Sequence, residues 1–149
     1  MSSRSGRRLS LQIQVDADAG PLPADRPQLR RWVAAALSSD AELVLRFVGN
    51  AEGRELNRQF RGRDKATNVL TFDYEREPLV RADIVICLPV LRAEAAAQSK
   101  SERDHLAHLV VHGVLHAHGH DHEDDAEARR MEAMETQLLG RFGIGDPYA

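Results

Sequence analysis

All seven histidines of the chain lie between residues 105 and 122, in the stretch HLAHLVVHGVLHAHGHDH. Imidazole nitrogens are preferred ligands of zinc and related metals, so this clustering predicts a metal site. His112 and His116 stand four residues apart. In a helix such a pair falls within about 40° of one direction, so both side chains can point at a single ion.

The residues after this pair suggest a third ligand. Gly119 can adopt the left-handed conformation that ends a helix, and the chain can then turn back and bring His122 to the same point. Three neutral imidazoles leave the fourth position of a tetrahedral Zn²⁺ open to water, which is typical of a catalytic zinc site. We therefore predict a zinc ion on His112, His116 and His122, with these residues also serving catalysis.

Two other histidine pairs have the same spacing. His108 with His112 lacks a returning third ligand, and His116 with His120 straddles the helix-ending Gly119. Both are therefore less suitable than the predicted set.

The remaining four histidines are interpreted as non-ligands. His105 and His108 are expected to pack near the ligands or to support them from an outer layer, because ligand imidazoles usually need a second partner. His118 and His120 are expected to be exposed.

The spacing His-x-x-x-His-x-x-Gly-x-x-His is that of the metzincin proteases, apart from one position. Those enzymes carry a glutamate next to the first histidine as the general base, whereas this chain has Gly113. Glycine cannot transfer a proton, so a peptidase is disfavoured. An acid from elsewhere, such as Asp121 or Glu102, keeps that alternative open.

The elements that must position the histidines follow from hydrophobic periodicity. The histidine helix should begin after Ser101, which with Asp104 resembles a capping box, and bury Leu106, Leu109, Val110, Val114 and Ala117. Asn50 is predicted to cap the second helix, which Gly62 would end. Met131, Met134, Leu138 and Phe142 of the last helix should face inward. The predicted elements are strands at 9–15, 41–49, 68–74 and 82–88, and helices at 28–39, 51–60, from 89 onward and 125–142.

This order predicts an α+β (mixed α/β) fold, with a mixed sheet of roughly four strands covered by helices. The 149 residues suit a single domain at 9–149, preceded by a flexible tail at 1–8. With 42% hydrophobic and 29% charged residues the composition is that of a soluble globular protein.

No apolar run approaches a membrane span and no secretory signal is evident, so a cytoplasmic location is expected. The single cysteine, Cys87, is expected to be a buried structural thiol.

The net charge of −3 gives no general indication of nucleic-acid binding, but its distribution is uneven. One short span carries five basic residues: Arg54, Arg58, Arg61, Arg63 and Lys65. A solvated surface is the ordinary explanation of such a run.

Together these segments resemble one known family. HGVLHAHGHDH is similar to the signature of the YbeY endoribonucleases, and the likeness continues in LNRQFRGRDKATNVLTFDY, ADIVIC and the ending GRFGIGDPY. The resemblance runs from about residue 40 to the end of the chain, with the motifs in the same order and spacing.

The resemblance implies a zincin-like single-domain fold, zinc on the three predicted histidines, and endoribonuclease activity on single-stranded RNA. It further implies a role in maturing the 3′ end of small-subunit ribosomal RNA and in ribosome quality control, with the small ribosomal subunit and its associated proteins as partners. The family's functional arginine corresponds to Arg61, which would clamp a phosphate. Arg58, Arg63 and Lys65 are expected to contact the RNA backbone. The alternatives are a non-catalytic ribosome-assembly factor with a structural zinc and a metallopeptidase-like hydrolase.

Overall fold

The computed structural model describes residues 7–61, 67–121 and 123–149, with Arg61 described by its backbone alone. The predicted Gly62 helix end, the residues Arg63, Lys65 and His122, and most of the 1–8 tail lie outside the described residues. Within them are four strands and five helices: β1 Leu9–Val15, α1 Arg26–Ala35, β2 Ala41–Val48, α2 Asn50–Arg61, β3 Val69–Glu75, β4 Val80–Cys87, α3 Leu88–Ala97, α4 Glu102–Ala117 and α5 Asp125–Gly140.

The strands form one mixed sheet in the order β1-β2-β4-β3. β1 pairs with β2 and β2 pairs with β4 in parallel, whereas β3 is an edge strand antiparallel to β4. The predicted α+β class with a four-stranded mixed sheet is therefore confirmed.

β4 shows how the sheet separates two hydrophobic layers, because successive side chains of a strand point to opposite faces. Ala82, Ile84 and Ile86 face the main core, which holds α1, α3, α4 and α5. Val85 and Cys87 face a smaller cluster under α2. The buried thiol expected at Cys87 is confirmed, at 2% exposure.

Several boundaries differ from the predictions by one to four residues, and two of these differences have identifiable reasons. The helix predicted to start at residue 28 begins at Arg26, because the side chain of Asp25 accepts a hydrogen bond from the backbone N–H of Gln28 at 2.9 Å. The strand predicted to end at Leu88 ends at Cys87. Pro89 follows within the first turn of α3, where its fixed φ and missing N–H are tolerated.

The histidine helix α4 is the central element of the main core. The five apolar residues predicted on its buried face are all buried. Its start is capped as predicted, since the hydroxyl of Ser101 accepts from the N–H of Asp104 at 3.0 Å. Gly113 lies where α4 crosses the sheet: a Cβ at this position would come within 2.7 Å of Cγ2 of Ile84. The helix can approach β4 this closely only because residue 113 has no side chain.

Candidate metal centre

His112 and His116 share one side of α4 and are neither fully buried nor fully exposed. Their rings are nearly parallel, at 7°, with centroids 6.3 Å apart. One helical turn separates the residues, which accounts for the spacing of the two rings. The predicted helical pair is therefore brought together as one unit.

Each of these imidazoles makes a hydrogen bond through its Nδ1 atom. Nδ1 of His112 lies 2.5 Å from Oε2 of Glu135, and Nδ1 of His116 lies 3.0 Å from the backbone oxygen of His120. A carboxylate and a carbonyl can only accept, so in the neutral rings Nδ1 carries the hydrogen and the lone pair belongs to Nε2. This is the tautomer in which histidine binds a metal through Nε2, and the donor set therefore fits the predicted ion.

Glu135 of α5, the hydrogen-bond partner of His112, is a charged residue with no exposed surface. Its Oε1 atom lies 3.1 Å from Nε2 of His108 and accepts a hydrogen bond from the hydroxyl of Tyr148. Burial by itself raises the pKa of Glu135, but the hydrogen bonds from His108, His112 and Tyr148 outweigh that effect and lower it to about 2. The buried carboxylate is therefore ionised at neutral pH.

The helix end that should return the chain is also formed as predicted. Gly119 has φ 98°, in the region that side chains rarely adopt. Its N–H donates to the oxygen of His116 at 3.0 Å, and the N–H of His120 donates to the oxygen of Leu115 at 3.1 Å. These two bonds are those of a Schellman motif, which reverses the chain direction just ahead of residue 122.

His108, His112 and Glu135 form a group that could hold a metal ion, with one ligand atom of each within 4.8 Å of the others. The separation of 2.5 Å between Nδ1 of His112 and Oε2 of Glu135 is that of a hydrogen bond. Two tetrahedral ligands at about 2.0–2.1 Å from an ion stand about 3.3 Å apart. As arranged here, the group therefore supports His112 from behind, and binding an ion between its members would require them to separate.

The other histidines divide between the core and its margin. His105 is buried, and its Nε2 lies 2.9 Å from Oε1 of Glu94. The prediction that His118 and His120 are exposed is wrong, because both are half-buried. Nδ1 of His118 donates to the oxygen of Val114 at 2.8 Å, and Nε2 lies 3.4 Å from the N–H of Ser38. The loop after α1 therefore covers the end of α4.

Of the predicted RNA-contacting residues, only Arg58 has a described side chain. It lies on the exposed surface of α2 and pairs with Glu55, with Nη2 2.6 Å from Oε1. An exposed pair of this type contributes little to stability. The side chains of Arg61, Arg63 and Lys65, and all of His122, lie outside the described residues.

Sequence reasoning missed Glu135, which accepts a hydrogen bond from Nδ1 of His112, and Tyr148, whose hydroxyl donates to Glu135. Glu135 was identifiable in principle, because it stands on the inward face of an amphipathic helix beside Met131 and Leu138. A charged residue there needs a partner. Nothing in the sequence shows which partner that would be.

Comparison with known proteins assigns the chain to a family. A family model described as "Endoribonuclease YbeY" matches residues 23–143. The chain belongs to the YbeY family. Proteins named Endoribonuclease YbeY from Methylibium petroleiphilum and Bordetella pertussis are 53% and 55% identical to it. The first alignment covers 95% of this chain and 94% of the relative, and the second 94% and 96%.

A solved structure shares the YbeY-family fold described here. The solution structure of TM1509 from Thermotoga maritima matches with a TM-score of 0.57 and 23% identity, over 89% of this chain and 91% of that one. At this level of identity the likeness concerns the fold alone. None of the helices in the described part of the chain is both long and apolar enough to span a membrane.

Proposed function

We propose that this chain is a metal-dependent endoribonuclease that cleaves single-stranded RNA, with a zinc ion on His112, His116 and His122 and with Arg61 on the substrate phosphate. The endoribonuclease activity is the one named for its relatives, which are more than half identical over nearly the whole chain. The same proposal includes a single catalytic domain at 9–149, a cytoplasmic location, and ribosomal RNA of the small subunit as the substrate.

The observation that carries the metal site is the pair of Nδ1 hydrogen bonds. With the hydrogen on Nδ1, each ring of His112 and His116 is in the tautomer that binds a metal through its Nε2 atom. The left-handed turn at Gly119 supports His122 as the third ligand, because the chain reverses direction three residues before it. A bound zinc ion would lower the pKa of a water molecule and neutralise charge on a phosphate oxygen.

The residues of the chain have distinct parts in this chemistry. The two helical histidines hold a fixed geometry, so little reorganisation accompanies binding. Arg61 would clamp the phosphate bidentately through its non-bridging oxygens, and Arg58, Arg63 or Lys65 would contact the backbone of the strand. The nucleophile is either water or the 2′-hydroxyl of the RNA.

The packing around α4 argues against the peptidase alternative. The position where a metzincin has its glutamate is Gly113, which faces Ile84 in the core, so a carboxylate there would be buried against the sheet. Glu102 stands ten residues before His112, or about 15 Å along the helix. It lies near Arg92, with the two charged atoms 3.8 Å apart. Glu102 is therefore too remote to act as the base.

The test is RNA cleavage by wild type, His116→Ala and Arg61→Ala proteins purified side by side, with the zinc content of each measured. We expect His116→Ala to lose zinc and cleavage together, and Arg61→Ala to keep zinc and lose cleavage. Arg129→Ala removes an exposed arginine from α5 and is the control, expected to behave as wild type. Equal cleavage by all four proteins would identify a contaminating nuclease and refute the proposal. A wild type that cleaves no RNA but still binds small ribosomal subunits would favour the assembly factor.

A further inference from the structure

The C-terminal segment, residues 141–149, is connected to the proposed metal centre through Tyr148. The hydroxyl of Tyr148 donates to Oε1 of Glu135, whose other oxygen, Oε2, accepts from Nδ1 of His112. A chain of two hydrogen bonds therefore connects Tyr148 to a proposed zinc ligand 36 residues earlier in the sequence.

We infer that Glu135 and Tyr148 are positioning residues that fix the tautomer and orientation of His112, so that the seating of the C-terminal segment sets the affinity for the metal. The inference rests on the proposed function, because it takes His112 as a ligand. It assigns roles to two residues that themselves touch neither the metal nor the RNA.

The seat of Tyr148 is well defined by its neighbours. The Nζ atom of Lys100 donates to the oxygen of Pro147 at 2.8 Å, and the N–H of Tyr148 donates to Oδ1 of Asp146 at 2.8 Å. The tyrosine ring meets the ring of His108 edge-on, at 85° with centroids 5.3 Å apart. Although Tyr148 is 47% exposed, its hydroxyl is directed inward by these contacts.

Burial makes the hydrogen bonds of Glu135 consequential. An ionised carboxylate without exposed surface is stable only when its oxygens accept hydrogen bonds, and here His108 and Tyr148 serve Oε1 while His112 serves Oε2. Removing one donor weakens the hold on the carboxylate, and through it the orientation of His112. Loss of an outer partner of a metal-bound histidine typically lowers metal affinity 10–100-fold.

A purely structural role for the two residues makes a different prediction. In that case Tyr148→Phe and Glu135→Gln would lower the stability of the metal-free protein. Neither change would alter the tautomer of His112 or the affinity of the protein for zinc. The state of His112 is therefore the deciding readout, because the tautomer depends on the acceptor facing Nδ1 and not on stability.

The experiment compares wild type, Tyr148→Phe and Glu135→Gln as full-length proteins. Zn²⁺ and Co²⁺ affinities are measured by competition with a chromophoric chelator, and the histidine tautomers of the metal-free proteins by ¹⁵N-detected NMR at neutral pH. Tyr74→Phe is the matched control, since it removes a tyrosine hydroxyl that lies 2.8 Å from a carboxylate oxygen of Asp83.

We expect zinc affinity to fall about tenfold in Tyr148→Phe and up to about 100-fold in Glu135→Gln. Tyr74→Phe should bind zinc as wild type does. His112 should carry its hydrogen on Nδ1 in wild type and populate both tautomers in Glu135→Gln. Should Glu135→Gln fail to fold, the zinc affinity of Tyr148→Phe still decides, because this change removes only the hydroxyl that donates to Glu135.

Two outcomes would overturn the inference, and they are distinguishable. If wild type binds zinc through His112 but Tyr148→Phe and Glu135→Gln bind it equally well, the positioning role is refuted and the proposed function stands. If wild type binds no zinc, the metal site of the proposed function fails and the inference fails with it.

Discussion

Gly113 allows the histidine helix to lie close to the sheet, and replacing it tests that packing directly. In Gly113→Ala the new Cβ would meet Cγ2 of Ile84 at 2.7 Å. Carbon atoms in contact prefer about 3.5–4.0 Å, so roughly 1 Å of adjustment is needed. Ile84 is 1% exposed and belongs to β4, which is paired on both sides, so it has little freedom to yield.

The magnitude depends on two opposing terms. Overpacking a core position by one carbon costs about 1–3 kcal/mol, and alanine gains about 0.8–1.0 kcal/mol over glycine in a helix. We therefore expect a net loss of about 1 kcal/mol in Gly113→Ala. Gly140→Ala is the matched control, because nothing lies within 4 Å of a Cβ there. It should be neutral or stabilising by up to about 1 kcal/mol.

The assay is urea unfolding of both variants and wild type, monitored by circular dichroism, with equal slopes required for comparison. The difference between the two variants isolates the overpacking cost and should be about 1–3 kcal/mol. A Gly113→Ala protein as stable as Gly140→Ala would show that α4 does not press on β4 at this point. The explanation of Gly113 as a packing requirement would then be refuted.

Three further predictions concern other described parts of the chain. Burial raises the pKa of the Cys87 thiol, so iodoacetamide at pH 8 should leave it unmodified in the folded protein and modify it fully after unfolding; equal rates would contradict its burial. Asp124→Ala removes the oxygen that accepts from the N–H of Glu127 at 2.7 Å at the start of α5, and should lower the free energy of unfolding by about 1 kcal/mol. Burial lowers the pKa of His118, against an opposing hydrogen bond to Val114, so the unfolded state takes up this proton more readily than the folded state. Its contribution to stability is therefore complete above the unfolded pKa of about 6.5 and is lost as pH falls toward the lowered value. Between pH 7.5 and pH 5, the free energy of unfolding should fall less steeply with decreasing pH in His118→Gln than in wild type. An equal pH dependence in the two proteins would exclude this titration.

The local geometry of the histidine pair was predictable because it depends on helical periodicity and one glycine. His112 and His116 lie together on α4, and Gly119 adopts the positive φ expected of it. The strands were also predictable from local signals, namely the alternation of apolar and polar residues and the presence of β-branched residues. Several boundaries shifted by one to four residues, and a side-chain cap and a proline account for two of these shifts.

The support behind the pair was not predictable, because it joins residues far apart in the chain. Glu135 stands 23 residues after His112, and Tyr148 a further 13 after Glu135. The half-buried state of His118 likewise depends on Ser38, 80 residues away. No periodic pattern encodes such contacts, which arise only when α5, the C-terminal segment and the loop after α1 assemble around α4.

The identity of the zinc ligands is tested most directly by locating the metal itself. The measurement is an anomalous difference map, recorded at the zinc absorption edge, from crystals of the protein grown with zinc. We predict a single strong peak about 2.0–2.1 Å from Nε2 of His112, Nε2 of His116 and a ring nitrogen of His122. A peak among His108, His112 and Glu135, or the lack of any peak beside α4, would contradict the proposed site.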